Sequence, residues 1–202
     1  CIATYRFEND ETDLSGNYDG TGTAIQYAAG RYGQAASFNG SSSKLDTGYT
    51  FANTTFSVSV WFKTTSTNII ITNTSDTTPA SNNDGFRIYA NRIVLTQDDV
   101  NVVTRTFSSS LADENWHNVV ITNDGTTLTT YIDGSSAHTD SSTSFTQNNS
   151  YPVVMGYQPR STINQYFDGL IDQVRFFNKA ISAAEVTTLY NENSLVASYR
   201  FE

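Results

Sequence analysis

Carboxylates and imidazoles carry most of the chemistry available to this chain, and they are sparse and loosely grouped. The densest acidic stretch is ENDETD, Glu8–Asp13. Glycoside hydrolysis needs two carboxyl groups aimed into one cleft, one as acid and one as nucleophile or base. ENDETD closes on Asp and runs from the end of a strand into a turn, so it reads as a solvated loop or a metal-adjacent turn. The candidate cleft strands FSVSVWFKT (Phe56–Thr64) and WHNVVITND (Trp116–Asp124) offer no carboxylate pair. The two histidines, His117 and His138, have no GxSxG elbow beside them, and there is no phosphate-cradling glycine loop. No His/Cys cluster could hold zinc. The reading is of a protein that is not an enzyme.

Position must come from strands. The 202 residues are 38% hydrophobic, 13% aromatic and only 15% charged, the composition of many short strands joined by polar turns around an aromatic core. FSVSVWFKT alternates, with Phe56, Val58, Val60 and Phe62 on one face. FRIYANRIVLTQ (Phe86–Gln97) predicts a hairpin turning near Asn91. NVVTRTF (Asn101–Phe107), WHNVVITND, TLTTYIDG (Thr127–Gly134), YPVVMGYQ (Tyr151–Gln158) and GLIDQVRFF (Gly169–Phe177) read as further strands. NDGTT at Asn123–Thr127 is a hairpin signal. One helix is predicted, Ile181–Asn193, with Ser182 and Glu185 as a capping box and Ile181 and Val186 as a hydrophobic staple. The chain is expected to be all-β, a two-sheet sandwich with one short C-terminal helix.

A net charge of −9 disfavours nucleic acid and anionic membrane surfaces as partners, and no apolar run is long enough to span a bilayer. The single cysteine, Cys1, has no internal disulfide partner, and a first residue other than Met reads as a fragment or processed chain. Four N-x-S/T sequons start at Asn39, Asn53, Asn73 and Asn148, as a chain rich in Asn, Ser and Thr makes by chance.

In order along the chain stand YRFENDETDLSGNYDGTG, GRYGQAASFNGSSSKLDTG, FSVSVWFKT, WHNVVITNDGTTLTTYIDG and FDGLIDQVRFFNKAISAAEVTTLY. Together they resemble a LamG-like jelly-roll module of the concanavalin A-like lectin/glucanase superfamily. The resemblance implies an antiparallel jelly roll with first and last strands side by side. It also resembles, more loosely, modules of bacteriophage virion proteins and secreted bacterial proteins. The glucanases' Glu-x-Asp-x-x-Glu signature is met only by ENDETD, with Asp in the last place. The resemblance further implies a structural calcium, with matching positions at Glu8 in YRFE, the Gly40 carbonyl in FNGSSS and Asp172 in LIDQVRF. Asp10 and Asp13 are candidates for additional oxygen ligands, which calcium prefers.

Sugar binding needs an aromatic platform with polar groups around it. Trp61 alternates opposite to the apolar set of its strand, which places it either on a ligand-facing surface or beneath a loop. Tyr157, Arg160, Asn164 and Tyr166 crowd one loop that could form a rim. The expected function is a non-catalytic, glycan-binding or adhesive module, extracellular or on a virion surface (tail, fibre or head decoration), with other virion or matrix subunits as partners. A purely structural spacer and a bacterial adhesin module are the alternatives. The phrase IATYRFE (Ile2–Glu8) returns as VASYRFE (Val196–Glu202). Residues 1–195 are therefore read as the module and 196–202 as the start of a tandem copy or an exchanged strand.

Overall fold

A computed structural model describes residues 1–51, 54–74, 85–97, 100–141, 151–158 and 164–192. The strands, in order, are β1 (Ala3–Tyr5), β2 (Thr21–Thr23), β3 (Gln26–Ala29), β4 (Gln34–Asn39), β5 (Lys44–Asp46), β6 (Thr55–Lys63), β7 (Ile69–Thr72), β8 (Gly85–Tyr89) and β9 (Arg92–Gln97). They continue as β10 (Val100–Thr106), β11 (Trp116–Asp124), β12 (Thr127–Ile132), β13 (Ser135–Ser141), β14 (Val154–Met155), β15 (Tyr157–Gln158), β16 (Gln165–Tyr166) and β17 (Asp168–Phe177), before helix α1 (Ala183–Asn191). One sheet runs β13-β12-β11-β6-β17-β4-β3, with β1 also on β17, and the other runs β10-β9-β8-β7-β14-β5-β2. Every described pairing is antiparallel. This is the expected jelly-roll sandwich.

Alternation sends Phe56, Val58, Val60 and Phe62 of β6 inward, all fully buried, beside Tyr5, Phe7, Phe38, Phe86, Phe176 and Leu95. The outward face of β6 is not left to water. Ser57 Oγ donates to Lys179 O (2.8 Å) and accepts from Ile181 N (3.0 Å), which ties the lead-in of α1 across it. Helix α1 starts where its capping box predicts: Glu185 N donates to Ser182 Oγ, and the Glu185 carboxylate accepts from Ser182 N. Ile181 and Val186 then bury together with Val120, Tyr131 and Phe177.

Two strand readings need correction. YPVVMGYQ is not one strand but two, β14 and β15, because the chain leaves the sheet at Gly156, packed so closely on the Phe38 ring that a Cβ would collide with it. TLTTYIDG ends at Ile132: Asp133 (φ 49°) and Gly134 (φ 77°) form the two-residue left-handed turn into β13, the geometry that favours Asp-Gly. His138 lies on β13, opposite Thr130. The segment Val196–Glu202 lies outside the described residues.

β17 organises the first sheet. Residues Asp168–Ile171 pair with β4, whereas Val174–Phe176 pair with β1. β4 and β1 therefore lie end to end along the same strand. At the change-over β17 bulges between Asp172 and Arg175 in its pairing with β6, and Gln173 takes φ 47°. The bulge leaves Gln173 and Val174 without partners on β6, directly after Asp172, which still pairs with Trp61.

Candidate functional site

Two places gather groups that can bind. The first is the seam between β1 and β4. Asp172 is fully buried, with Oδ2 accepting from Tyr32 N (3.1 Å) and Oδ1 from Gln173 N (2.7 Å). Glu8, just beyond β1, reaches the same β3–β4 connection, its Oε2 accepting from Gln34 N (3.2 Å). The connection is Gly30-Arg31-Tyr32-Gly33, and its glycines make room for both acids. A Cβ at Gly30 would lie 2.7 Å from Asp172 Oδ2 and 2.6 Å from Gln34 O; one at Gly33 (φ 59°) would collide with the Glu8 carboxylate. Burial, with the charge of Glu8 adding to it, pushes the Asp172 carboxyl up to about 6, against the backbone N–H groups of Tyr32, Gln173 and Arg31. Two acids thus border the one connection, Asp172 buried at Gly30 and Tyr32, and Glu8 exposed at Gly33 and Gln34 with the Arg6 guanidinium 3.9 Å away.

The expected ligand set is only partly assembled. Glu8 and Asp172 border the same β3–β4 connection, although 164 positions separate them in sequence. Gly40 does not join them. It lies past the opposite end of β4, about 20 Å of strand away, with its N–H on Phe167 O (2.9 Å) and the Asp168 side chain against its Cα. The glycines beside the two acids are Gly30 and Gly33. Asp10 and Asp13 are also elsewhere. Asp10 holds Thr12, and buried Asp13 accepts from Thr4 N (2.7 Å) and Ser15, so ENDETD builds a turn and no carboxylate pair. Among the described residues, no three His, Cys, Asp or Glu side chains come together as a metal site. Sequence did carry a signal for this loop: two glycines three apart, directly before a strand, mark a close backbone approach.

The second place is a cleft of about 190 Å³ on the outward side of the other sheet, lined by Lys44, Asp46, Thr74, Tyr151, Pro152, Val154 and Tyr157. Lys44 and Asp46 are alternate residues of β5, so both side chains leave the same face. Asp46 Oδ1 accepts from Gly48 N (2.9 Å), which orients the carboxylate. The Lys44 ammonium stands 5.4 Å above the Tyr157 ring. Tyr157 pairs with Tyr166 across the β15–β16 ribbon, ring centroids 4.9 Å apart, and Asn68 Nδ2 anchors that ribbon through Tyr166 O (2.9 Å). Burial and the neighbouring Tyr166 raise the Tyr157 hydroxyl above its usual range, so it remains a neutral donor.

Of the expected sugar-binding residues, then, Tyr157 and Tyr166 sit together, with Tyr157 at a cleft. Asn164 is exposed just ahead of β16. Arg160 lies outside the described residues. Trp61 is not a platform: it is 3% exposed, stacked on Tyr190 of α1 (5.4 Å, 13°) and capped by the Arg31 guanidinium (4.8 Å). Lys44, Asp46 and Tyr151 were not legible as site residues, because β5 and β14 become neighbours only in the folded sheet.

The sequence matches the family described as the concanavalin A-like lectin/glucanases superfamily over residues 32–187, and the chain belongs to that superfamily. Among solved structures, it is similar to domain 4 of AbnA, a GH43 extracellular arabinanase from Geobacillus stearothermophilus, solved with arabinotriose. The two are 22% identical, with a TM-score of 0.75 over 94% of this chain and 98% of that one. It is also similar to the binding domain of Paraclostridial Mosquitocidal Protein 1 (TM-score 0.73, 20% identity, 94% of this chain, 51% of that one). A third is the binding domain of botulinum neurotoxin DC, in complex with rat synaptotagmin II (TM-score 0.67, 18% identity, 94% and 51%). The chain spans about half the length of these toxin binding domains. At such identities the likeness is one of fold. No curated protein matches the sequence. Among the described residues, no helix is long and apolar enough to cross a membrane.

Proposed function

We propose that this chain is a non-catalytic, lectin-like binding module that takes a sugar in the Lys44–Tyr157 cleft and holds its fold with a calcium ion at Glu8 and Asp172. The observation that carries the reading is the cleft: tyrosine rings and Pro152 beside one oriented carboxylate and one lysine. A sugar ring presents C–H faces to aromatic surfaces and hydroxyls to planar or charged polar groups, which is the mixture a small-molecule site of this kind supplies. Asp46 would accept hydroxyl protons, and Lys44 would donate to ring or hydroxyl oxygens. The space is that of roughly six waters, enough for one sugar residue in contact. That the similar domain of AbnA was solved with arabinotriose, and the toxin domains are binding domains by name, supports the class of function.

The seam residues fit a hard cation. Calcium is held by carboxylate and carbonyl oxygens, and the cradle that a Cβ at Gly30 or Gly33 would fill is lined by these. When bound, the ion would supply positive charge at buried Asp172, where the charge of Glu8 now opposes ionisation. Glu8 and Asp172 would be its side-chain ligands, and the Gly30–Gln34 backbone keeps both acids oriented. We further propose that the module works outside the cell or on a virion surface, within a larger assembly.

Affinity electrophoresis and calorimetry against a glycan panel that includes arabinotriose test the binding reading. Binding by the wild type that is lost in Tyr157→Ala and weakened in Asp46→Asn supports it. A wild type that binds no glycan overturns it in favour of a structural spacer, and binding indifferent to both substitutions overturns the cleft as the site.

A further inference from the structure

Arg31 and Tyr32 face two ways. Their backbone N–H groups serve the Asp172 carboxylate, Tyr32 N at 3.1 Å. Their side chains close over Trp61: the Arg31 guanidinium lies 4.8 Å from the indole, and the Tyr32 ring stands edge-on to it at 6.4 Å. Trp61 is the cross-strand partner of Asp172 between β6 and β17, so the indole is the floor beneath the cation loop. Tyr190 of α1 stacks on the same indole and rests on Gly134, where a Cβ would approach its ring to 3.0 Å. The helix end is fastened by Arg175 to Glu192 (2.5 Å). An unbroken series of contacts therefore runs from the buried carboxylate, through the loop and the indole, to the helix.

We propose that Arg31, Trp61 and Tyr190 are positioning residues for the cation: the stack fixes the shape of Gly30–Gln34, so calcium binding and docking of α1 strengthen one another. The inference rests on the reading of Glu8 and Asp172 as calcium ligands. Two states make the coupling physical: helix docked with the loop closed over Trp61, and helix lifted with the loop slack. An ion that prefers the first must favour docking by the same factor by which docking favours the ion. A loop held only by its own backbone would show no such dependence on a residue of α1.

The test uses the 202-residue chain and calcium itself as the probe. Calorimetry reads affinity, and tryptophan emission reads the stack in a Trp116→Phe background, which leaves Trp61 as the one tryptophan. Calcium should shift Trp61 emission. Tyr190→Ala should weaken calcium binding about 5-fold or more, the lower end of ordinary coupling, while Tyr190→Phe, which keeps the stacked ring, should bind like wild type. Arg31 is exposed, so Arg31→Ala should fold and give the same direction of change even if Tyr190→Ala does not fold. Calcium that binds while Trp61 emission stays unmoved, or with affinity unchanged in Arg31→Ala, overturns the coupling and leaves the ligand reading standing. Failure of the wild type to bind calcium overturns both.

Discussion

Removing the charge of Asp172 should change how stability depends on pH, by an amount the structure sets. In the metal-free fold, burial and Glu8 raise this carboxyl from 3.8 to about 6. At about 1.4 kcal/mol for each tenfold change in proton affinity, that is about 3 kcal/mol. The unfolded chain gives up the proton first as pH rises, so between about 4 and 6 the folded state binds more protons, and stability falls with rising pH. Asp172→Asn keeps the shape and cannot ionise. The substitution also leaves one side of the carboxylate's N–H partners without an acceptor, but that loss is the same at every pH. The quantity to measure is therefore the difference in unfolding free energy between wild type and Asp172→Asn, from urea titrations in chelator at pH 4 and pH 7.5. Wild type should lose about 2 kcal/mol relative to the variant across that interval, the rest of the loss falling below pH 4 where the unfolded carboxyl begins to ionise. Saturating calcium should suppress the loss, because binding only the folded state stabilises it. A difference that stays flat, or that grows in favour of wild type, would show that Asp172 is not held as an uncompensated buried charge.

Three further outcomes are expected. Charged His117 donates from both ring nitrogens, to Asp133 (2.8 Å) and Asp113 (3.0 Å); burial opposes its charge, but the two carboxylates outweigh burial and hold its pKa above the usual value. Its contribution is full below about 6.5 and is lost as pH rises through the folded value, so the urea midpoint gap between wild type and His117→Gln should shrink from pH 6 to pH 9; a constant gap contradicts the ion pairs. Gly33→Ala places a methyl group against the Glu8 carboxylate at φ 59°, and should cost about 1 kcal/mol or more together with the calcium-dependent rise in melting temperature. Purified protein should not release reducing sugar from laminarin or lichenan, and turnover that vanishes in Glu8→Gln would promote ENDETD to an active site.

What the sequence discloses here is what local pattern controls. Alternation in FSVSVWFKT is enough to sort Phe56, Val58, Val60 and Phe62 from Ser57 and Ser59, and Ser182–Glu185 is enough to start a helix. Pattern could not say that the outward face of β6 lies beneath α1, which turns Trp61 from a candidate platform into a packed floor. Nor could it distinguish Gly40 from Gly30 and Gly33 as the glycine beside Asp172, because that choice depends on which end of β4 abuts β1. Lys44 and Asp46 share a face on any strand reading. Only the pairing of β5 with β14 brings Tyr151 and Pro152 to them, and Gly156 swings Tyr157 into the same space.

The end-to-end arrangement of β1 and β4 along β17 also has a mechanical consequence. A three-residue strand pulled away from its neighbour opens like a zipper, one rung at a time, and Ala3–Tyr5 has few rungs to give. Glu8 crosses from the end of that strand to Gln34 at the start of the next, so tension on the first residues of the chain is carried over the joint into β4 before the ladder can peel. An ion seated at the joint would act as a rivet, raising the load at which the edge tears without altering a single strand pairing. Modules working under flow or at a cell surface would then differ in tensile strength according to the calcium around them, although their folds were the same.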